Sequence, residues 1–314
     1  MAGFILKRCL LMIPTLLGVT VIVFLMLQIV PGDPVNSLLS PDATEEDRQR
    51  IEQELGLDKS LVVQYFSWIG NTLQGDFGRS IIKQLAVNDL LFDALGNTFI
   101  LAFGAAVFAF SLSLIIGVYS AYHPKSWIAS LGNIIGLTGV SIPNFWAALI
   151  LIGIFSVMLG WLPSAGMKGI GGGGISDTIT HLILPAIAVG MTTLGVMTRM
   201  IRSSVVDLLQ KDFIITLQAK GAGSFIILMH VLKNCTPTIL TVAGLQVGYL
   251  IGGSVLVETV FSWPGVGQLI YQGISQRDFP IIQAGVLVIS ILFVLINLIV
   301  DILHAVVDPR IRQA

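Results

Sequence analysis

Side chains able to do covalent or metal chemistry are few in this chain, and their spacing does not bring them together. The four histidines, His123, His181, His230 and His304, form no HExxH pair and no serine-type triad. Cys9 and Cys235 stand 226 positions apart, neither in a CxxC pair, which argues against a disulfide framework or a thiolate metal cluster. No segment reads GxxxxGK(S/T), so the phosphate-cradling loop of P-loop ATPases is absent, and any dependence on ATP must come from a partner. Gly169, Gly171 and Gly174 satisfy GxGxxG, but no strand precedes them and they lie in a glycine run, which reads as a flexible loop. Asp301 and His304, at i and i+3, are placed to meet on one helix face and to anchor its end. No residue is therefore assigned to catalysis, to a cofactor or to a metal.

The elements that would position these residues are apolar. Of 314 residues, 54% are hydrophobic and 11% charged, against roughly 25% charged in a soluble domain, which excludes an ordinary soluble enzyme. The net charge of -1 gives no basic field for a nucleic acid. Crossing a bilayer takes roughly 20 apolar helical residues, and six runs approach that length. They are Cys9–Val30, Asn97–Tyr122, Ser126–Met167, Thr178–Thr198, Asn234–Val257 and Phe279–Val300. The third, 42 residues long, would extend about 63 Å as one helix, so it must break; Pro143 and the Trp161-Leu162-Pro163 turn leave one tilted or kinked helix near 129–159. Lys7 and Arg8 before the first run imitate a secretory signal, but the run is too long and lacks a small-residue cleavage site, so it reads as a retained helix.

Charge orients the six spans. With the N-terminus inside, the inner side holds Lys7, Arg8, Lys125, Arg199, Arg202, Lys211, Lys220, Lys233, Arg310 and Arg312, and the short outer loops hold only Lys168 and Arg277. The expected fold is an all-α integral membrane protein of six transmembrane helices. A large extracytoplasmic loop follows helix 1, and a cytoplasmic loop joins helices 4 and 5. The domain reading is 1–30 for the N-terminus and first helix, 31–96 for the outer loop, 97–304 for the transmembrane core and 305–314 for a cytoplasmic tail.

The outer segment carries eleven acids and five bases, and Glu45, Glu46 and Asp47 after Thr44 mark a helix start, so it reads as a solvated subdomain. The inner segment Arg199–Lys233 is too long for a plain connection; its period predicts short helices on the cytoplasmic face, stopped at Gly221 and Gly223. Small residues at Gly132, Gly136 and Gly139, at Gly244 and Gly248, and at Gly252 and Gly253 predict close helix packing. Ionisable groups are missing from mid-span, where a proton-driven carrier would show them.

Residues 4–34, FILKRCLLMIPTLLGVTVIVFLMLQIVPGDP, resemble the first helix of the dipeptide, oligopeptide and nickel branch of bacterial ABC importer permeases. The resemblance continues through LGLD at 55–58, Gln64-Tyr65, GDFGRS at 75–80, SIPNFW at 141–146, Trp161-Leu162-Pro163, Leu184-Pro185 and Arg199, and is to the first of that branch's two permease subunits. Asp212-Phe213 through Gln218-Ala219-Lys220-Gly221, with His230 and Asn234, is similar to the family's ATPase-contacting EAA loop, although Ile215, Thr216 and Leu217 stand where the literal EAA would fall. Glu258, Trp263, Pro264, Gly265 and Gly267, then RDFP at 277–280, Asn297, Asp301 and DPRIR at 308–312, match its C-terminal marks.

The resemblance implies a permease subunit of a binding-protein-dependent importer in the bacterial inner membrane, carrying di- or oligopeptides. Its partners would be a second permease, two cytosolic ABC ATPases that use ATP and Mg, and an extracytoplasmic solute-binding protein. Asp212, Phe213, Ala219, Lys220, Gly221, His230 and Asn234 would couple it to the ATPases, and Gly221→Asp should abolish uptake while leaving insertion intact. Nickel or a metal chelate is the alternative cargo within the family, and an ATP-independent secondary transporter the alternative of another class.

Overall fold

The computed structural model describes residues 2–29, 44–54, 57–169 and 171–307. The PGDP at 31–34, the first half of LGLD and the DPRIR at 308–312 lie outside the described residues. The elements, in order, are α1 (Ala2–Ile29), α2 (Glu45–Glu54), α3 (Leu61–Leu73), α4 (Val87–Tyr122), α5 (Trp127–Ser141), α6 (Asn144–Leu151) and a π-helical segment Ile152–Met158. They continue with α7 (Ile175–Leu209), α8 (Asp212–Ala219), α9 (Ser224–Gly252), α10 (Ser254–Val260), α11 (Val266–Gln276) and α12 (Phe279–Val307). Among the described residues β-pairing is limited to an isolated bridge between Arg79 and Ala86.

Among the described residues, four stretches are long and apolar enough to cross a bilayer: Val87–Tyr122, Ile175–Leu209, Ser224–Val260 and Phe279–Leu303. α1 contains a shorter apolar stretch, Leu10–Met26. The third expected span departs from the sequence reading. In place of one kinked helix, α5 and α6 with its π-helical extension meet at 114°. The break itself is local: Ile142 precedes a proline and is driven to an extended backbone (φ -94°, ψ 123°), while Pro143 has no N–H to continue the ladder. Ser126 opens α5 by accepting the Ala129 N–H at 3.2 Å.

The chain forms two compact units. The first comprises residues 1–8, 99–263 and 293–314, and α7 is its hub, packed against α5, α6, α9 and α10. α5 reaches α7 backbone to backbone: a Cβ added at Gly139 would lie 2.5 Å from the Met191 carbonyl oxygen, and one at Gly195 would lie 3.1 Å from that of Ile135. The stripe at Gly132, Gly136 and Gly139 thus serves contacts inside the chain, whereas Gly252 faces open space and Gly253 meets only Tyr249 of the preceding turn. Gly248 likewise abuts the Phe293 ring, and a Cβ at Gly244 would collide with Val300. Polar side chains add interhelical ties: Thr192 donates to Asn144 Oδ1 at 2.9 Å and Thr193 to Gln246 Oε1 at 3.0 Å.

The second unit comprises residues 9–98 and 264–292. Its core joins Val87, Leu91 and Ala94 of α4 to Val266, Leu269 and Ile270 of α11 and Ile281 and Ala284 of α12. In the segment expected outside the membrane, α2 starts at Glu45 as the acids after Thr44 indicate, but α3 is predominantly apolar.

Candidate functional site

The residues of the expected cytoplasmic loop lie on a helical hairpin. α7 does not stop near Thr198, where its apolar run ends, but continues to Leu209; its 35 residues extend about 52 Å, some 20 Å more than a bilayer core requires. α9 begins at Ser224, ten residues before its apolar run. α8 therefore bridges the tips of two projecting helices. Ile214 is 3% exposed and packs with Val205 of α7 and Ile227 and Val231 of α9, with Phe213 and Leu217 flanking it. Those contacts turn the opposite face outward, so that Ile215 is 63% exposed and Thr216, Gln218, Ala219 and Lys220 are exposed beside it.

The hairpin closes on a specific turn. Gly221 has φ +76°, its N–H donates to the Gln218 carbonyl at 2.9 Å, and the Ala222 N–H donates to that of Leu217 at 3.0 Å. This is the paired closure of a Schellman motif with Gly221 in the left-handed position. Ala222 and Leu217 both pack on the same apolar cluster, as that motif favours. No atom lies within 4 Å of a Cβ built on Gly221, so the dihedral angle, not space, requires glycine. Asp212 occupies the first turn of α8, where a negative charge suits the helix dipole. His230 and Asn234 stand one turn apart on the exposed side of α9, and Asn234 Nδ2 donates to the His230 carbonyl at 2.8 Å. Of the seven residues expected to meet an ATPase, the turn gathers Ala219, Lys220 and Gly221, α9 aligns His230 and Asn234, and Phe213 is half-buried.

The second expected motif divides between the units. In the first, Glu258 is fully buried on α10, its Oε1 2.9 Å from Ser254 Oγ. Trp263 is also fully buried, and its backbone N–H donates to the Glu258 carbonyl at 2.8 Å. The Trp161-Leu162-Pro163 turn joins this group: Leu162 and Met167 pack on the cluster holding Phe261 and Trp263, and the Gly166 N–H donates to the Phe261 carbonyl at 2.7 Å. In the second unit, the Pro264 carbonyl accepts from Asn97 Nδ2 at 2.9 Å, Gly265 precedes α11, the Val266 N–H donates to Thr98 Oγ1 at 2.9 Å, and Gly267 is buried in the first turn.

One constellation escaped the sequence reading. Asp278 is fully buried; its carboxylate accepts from Ser80 Oγ and, at 3.2 Å each, from the backbone N–H groups of Ile81 and Ile82. This joins the GDFGRS and RDFP segments, which lie 198 positions apart, too far for any spacing rule to pair them. Asp301 pairs with Arg8 of α1 at 2.9 Å; the side chain of His304, expected to share its helix face, lies outside the described residues. His181 lies in α7 with Nδ1 2.8 Å from the Asp177 carbonyl oxygen. The glycine-rich loop is tied to that helix start, since the Gly169 N–H donates to Asp177 Oδ2 at 2.7 Å. No group of three or more His, Cys, Asp or Glu among the described residues is placed to hold a metal ion.

The chain thus presents a helical hairpin whose tip exposes Ile215, Thr216, Gln218, Ala219 and Lys220, built on a bundle of apolar helices. Residues 113–313 match the family model "Binding-protein-dependent transport system inner membrane component", and residues 1–102 match "Binding-prot-dependent transport system membrane comp, N-term". The chain belongs to this family. Its members are ABC importer permeases, membrane transport subunits and not enzymes, and this one is a multi-pass protein of the inner membrane. The permease is 40% identical over 313 residues to the glutathione transport system permease protein GsiC of Salmonella typhimurium, covering 99% of each chain. It is 40% identical over 315 residues to the oligopeptide transport system permease protein AppB of Bacillus subtilis, and 38% identical over 332 residues to the dipeptide transport system permease protein DppB of Alkalihalophilus pseudofirmus. Each of these alignments covers 99% of the permease and all of the relative. Its fold resembles a chain of the MetNI methionine ABC transporter in an inward-facing crystal form, with a TM-score of 0.56 at 20% identity, over 70% of the permease and 96% of that chain.

Proposed function

We propose that this permease conducts peptides, from dipeptides to short oligopeptides, across the inner membrane as one of two permease subunits above a pair of cytosolic ABC ATPases. An extracytoplasmic solute-binding protein delivers the peptide, and ATP with Mg is bound and used by the ATPases. The observation that carries this reading is end-to-end similarity, at 38–40% identity, to relatives named for glutathione, oligopeptide and dipeptide transport. α8 is the coupling helix: ATPase closure pushes on its exposed face and on the Ala219-Lys220-Gly221 turn, and the rigid extensions of α7 and α9 carry the movement into the bundle. His230 and Asn234 extend the same contact, while Glu258, Trp263, Pro264, Gly265 and Gly267 order the extracytoplasmic end.

The proposed topology has six crossings with both termini in the cytoplasm, an outer segment at 31–96, a core at 97–304 and a tail at 305–314. The Arg8–Asp301 ion pair supports it, because the start of α1 and the end of α12 then share one side and the crossings between them must be even in number. Four long apolar helices, α1 and the bent α5–α6 pair make six. The ten-to-two excess of Lys and Arg assigns that side to the cytoplasm. The test is uptake of labelled di- and oligopeptides by proteoliposomes containing the whole complex. Uptake that requires internal ATP and external binding protein, competed by peptides and not by Ni²⁺, is expected; uptake on an ion gradient alone would overturn the reading.

A further inference from the structure

α3 lies beyond the first apolar run, in a stretch whose charge suggests a solvated loop, yet it shows an apolar strip. Val62 (65% exposed), Phe66 (66%) and Leu73 (83%) fall along one side at i, i+4 and i+11, while Ser67 and Asn71, one and two turns after Val63, occupy the other exposed side. Tyr65 and Trp68, on the inward side of α3, rest on α1. The Tyr65 hydroxyl is 2.8 Å from Thr20 Oγ1, and because that threonine donates to the Leu17 carbonyl, the phenol is the donor. Phe24 meets the Tyr65 ring edge-on at 5.5 Å and stacks with Trp68 at 6.2 Å.

These contacts give α3 a depth. Arg8, ion-paired with Asp301, marks the inner boundary on α1. At 1.5 Å per residue, Thr20 stands about 18 Å and Phe24 about 24 Å above it, inside a hydrocarbon core of about 30 Å. Tyr65 and Trp68 therefore sit roughly 6 to 12 Å below the outer boundary, where amphipathic helices lie and where Tyr and Trp collect. The strip also continues an apolar surface, since Leu17, Val21, Ile22 and Leu25 of α1 are themselves exposed.

We infer that α3 is an interfacial helix lying in the outer leaflet, with Val62, Phe66 and Leu73 covered by phospholipid acyl chains and Ser67 and Asn71 toward the headgroups and water. It anchors the outer segment at a fixed height on the membrane. The inference rests on α1 crossing the bilayer, so its test carries a separate control for that crossing.

Single cysteines are introduced as Val62→Cys, Phe66→Cys, Leu73→Cys and Asn71→Cys, with Leu17→Cys as the α1 control, after Cys9 and Cys235 are replaced by alanine. Each is labelled in detergent with an environment-sensitive fluorophore, and the full transporter complex is reconstituted into phosphatidylethanolamine and phosphatidylglycerol vesicles with or without lipid spin-labelled near the headgroup. Quenching by spin-labelled lipid at 62, 66 and 73 several-fold stronger than at 71 is expected. Equal access of an aqueous quencher to all four α3 positions would overturn the inference, as would positions 62, 66 and 73 shielded from both quenchers, which would mean a protein partner covers the strip. Lipid quenching at 17 without quenching on α3 removes the interfacial helix and leaves the spans intact; its absence at 17 as well removes the crossing of α1, and the inference with it.

Discussion

Gly221 offers the sharpest test of the hairpin, because its environment isolates one physical term. At φ +76° an L-residue with a Cβ is strained by about 1–2 kcal/mol, and the empty space around the position adds no collision. That energy is a factor of roughly 5–30 between the closed turn and alternatives that break the two carbonyl contacts. Asn tolerates the left-handed region and should keep most of the function; Ala should lower the ratio of closed turn to open alternatives roughly 5- to 30-fold, and Val, branched at Cβ, more. Asp also tolerates the backbone but places a negative charge at the C-terminal end of α8, unfavourable by about 0.3–1 kcal/mol, on the surface proposed to meet the ATPase. ATP-dependent peptide uptake and peptide-stimulated ATP hydrolysis by the reconstituted complex, normalised to membrane-inserted protein, should fall in the order Gly, Asn, Ala, Val. Loss in Gly221→Asp with activity in Gly221→Asn would locate the defect at the protein contact. Normal uptake by Gly221→Val would refute the argument from the dihedral, and equal loss in every variant, Asn included, would refute the argument that glycine serves only the backbone.

Three further outcomes are expected. Gly139→Ala pushes a methyl group against the Met191 carbonyl and should destabilise the α5–α7 crossing by about 1–3 kcal/mol or more, read as a lower melting temperature in detergent; Gly153→Ala, with open space around it, should melt like the parent. Asp278→Ala removes the acceptor from three donors, each costing about 1–3 kcal/mol when left buried and unsatisfied. Limited proteolysis should then cut near residues 79–86, and protection equal to the parent would count against the clasp. Arg8→Glu or Asp301→Arg alone should cost no more than about 1 kcal/mol, because the pair is partly exposed, and the double exchange should recover the parent melting temperature.

Much of this molecule is legible along the chain because the bilayer imposes a one-dimensional rule: about 20 uncharged residues per crossing, with bases retained inside. That rule locates α4, α9 and α12, and the acids after Thr44 locate the start of α2. It fails where the determinant is not local composition. Arg199 and Arg202 end an apolar run, yet α7 continues as a helix beyond them, since charged residues are good helix formers once outside the lipid. A proline in an apolar run signals a break but not its size, and the 114° between α5 and α6 depends on how each packs against α7.

Composition and charge order alone determined that the chain is a polytopic helical membrane protein, because that property follows from transfer energies summed residue by residue. The left-handed turn at Gly221, the carboxylate of Asp278 holding residues 80–82, the Arg8–Asp301 pair and the apolar strip of α3 were decided only in three dimensions. Each depends on atoms brought together across tens to hundreds of residues, or on a dihedral angle that neighbouring residue types permit but do not impose.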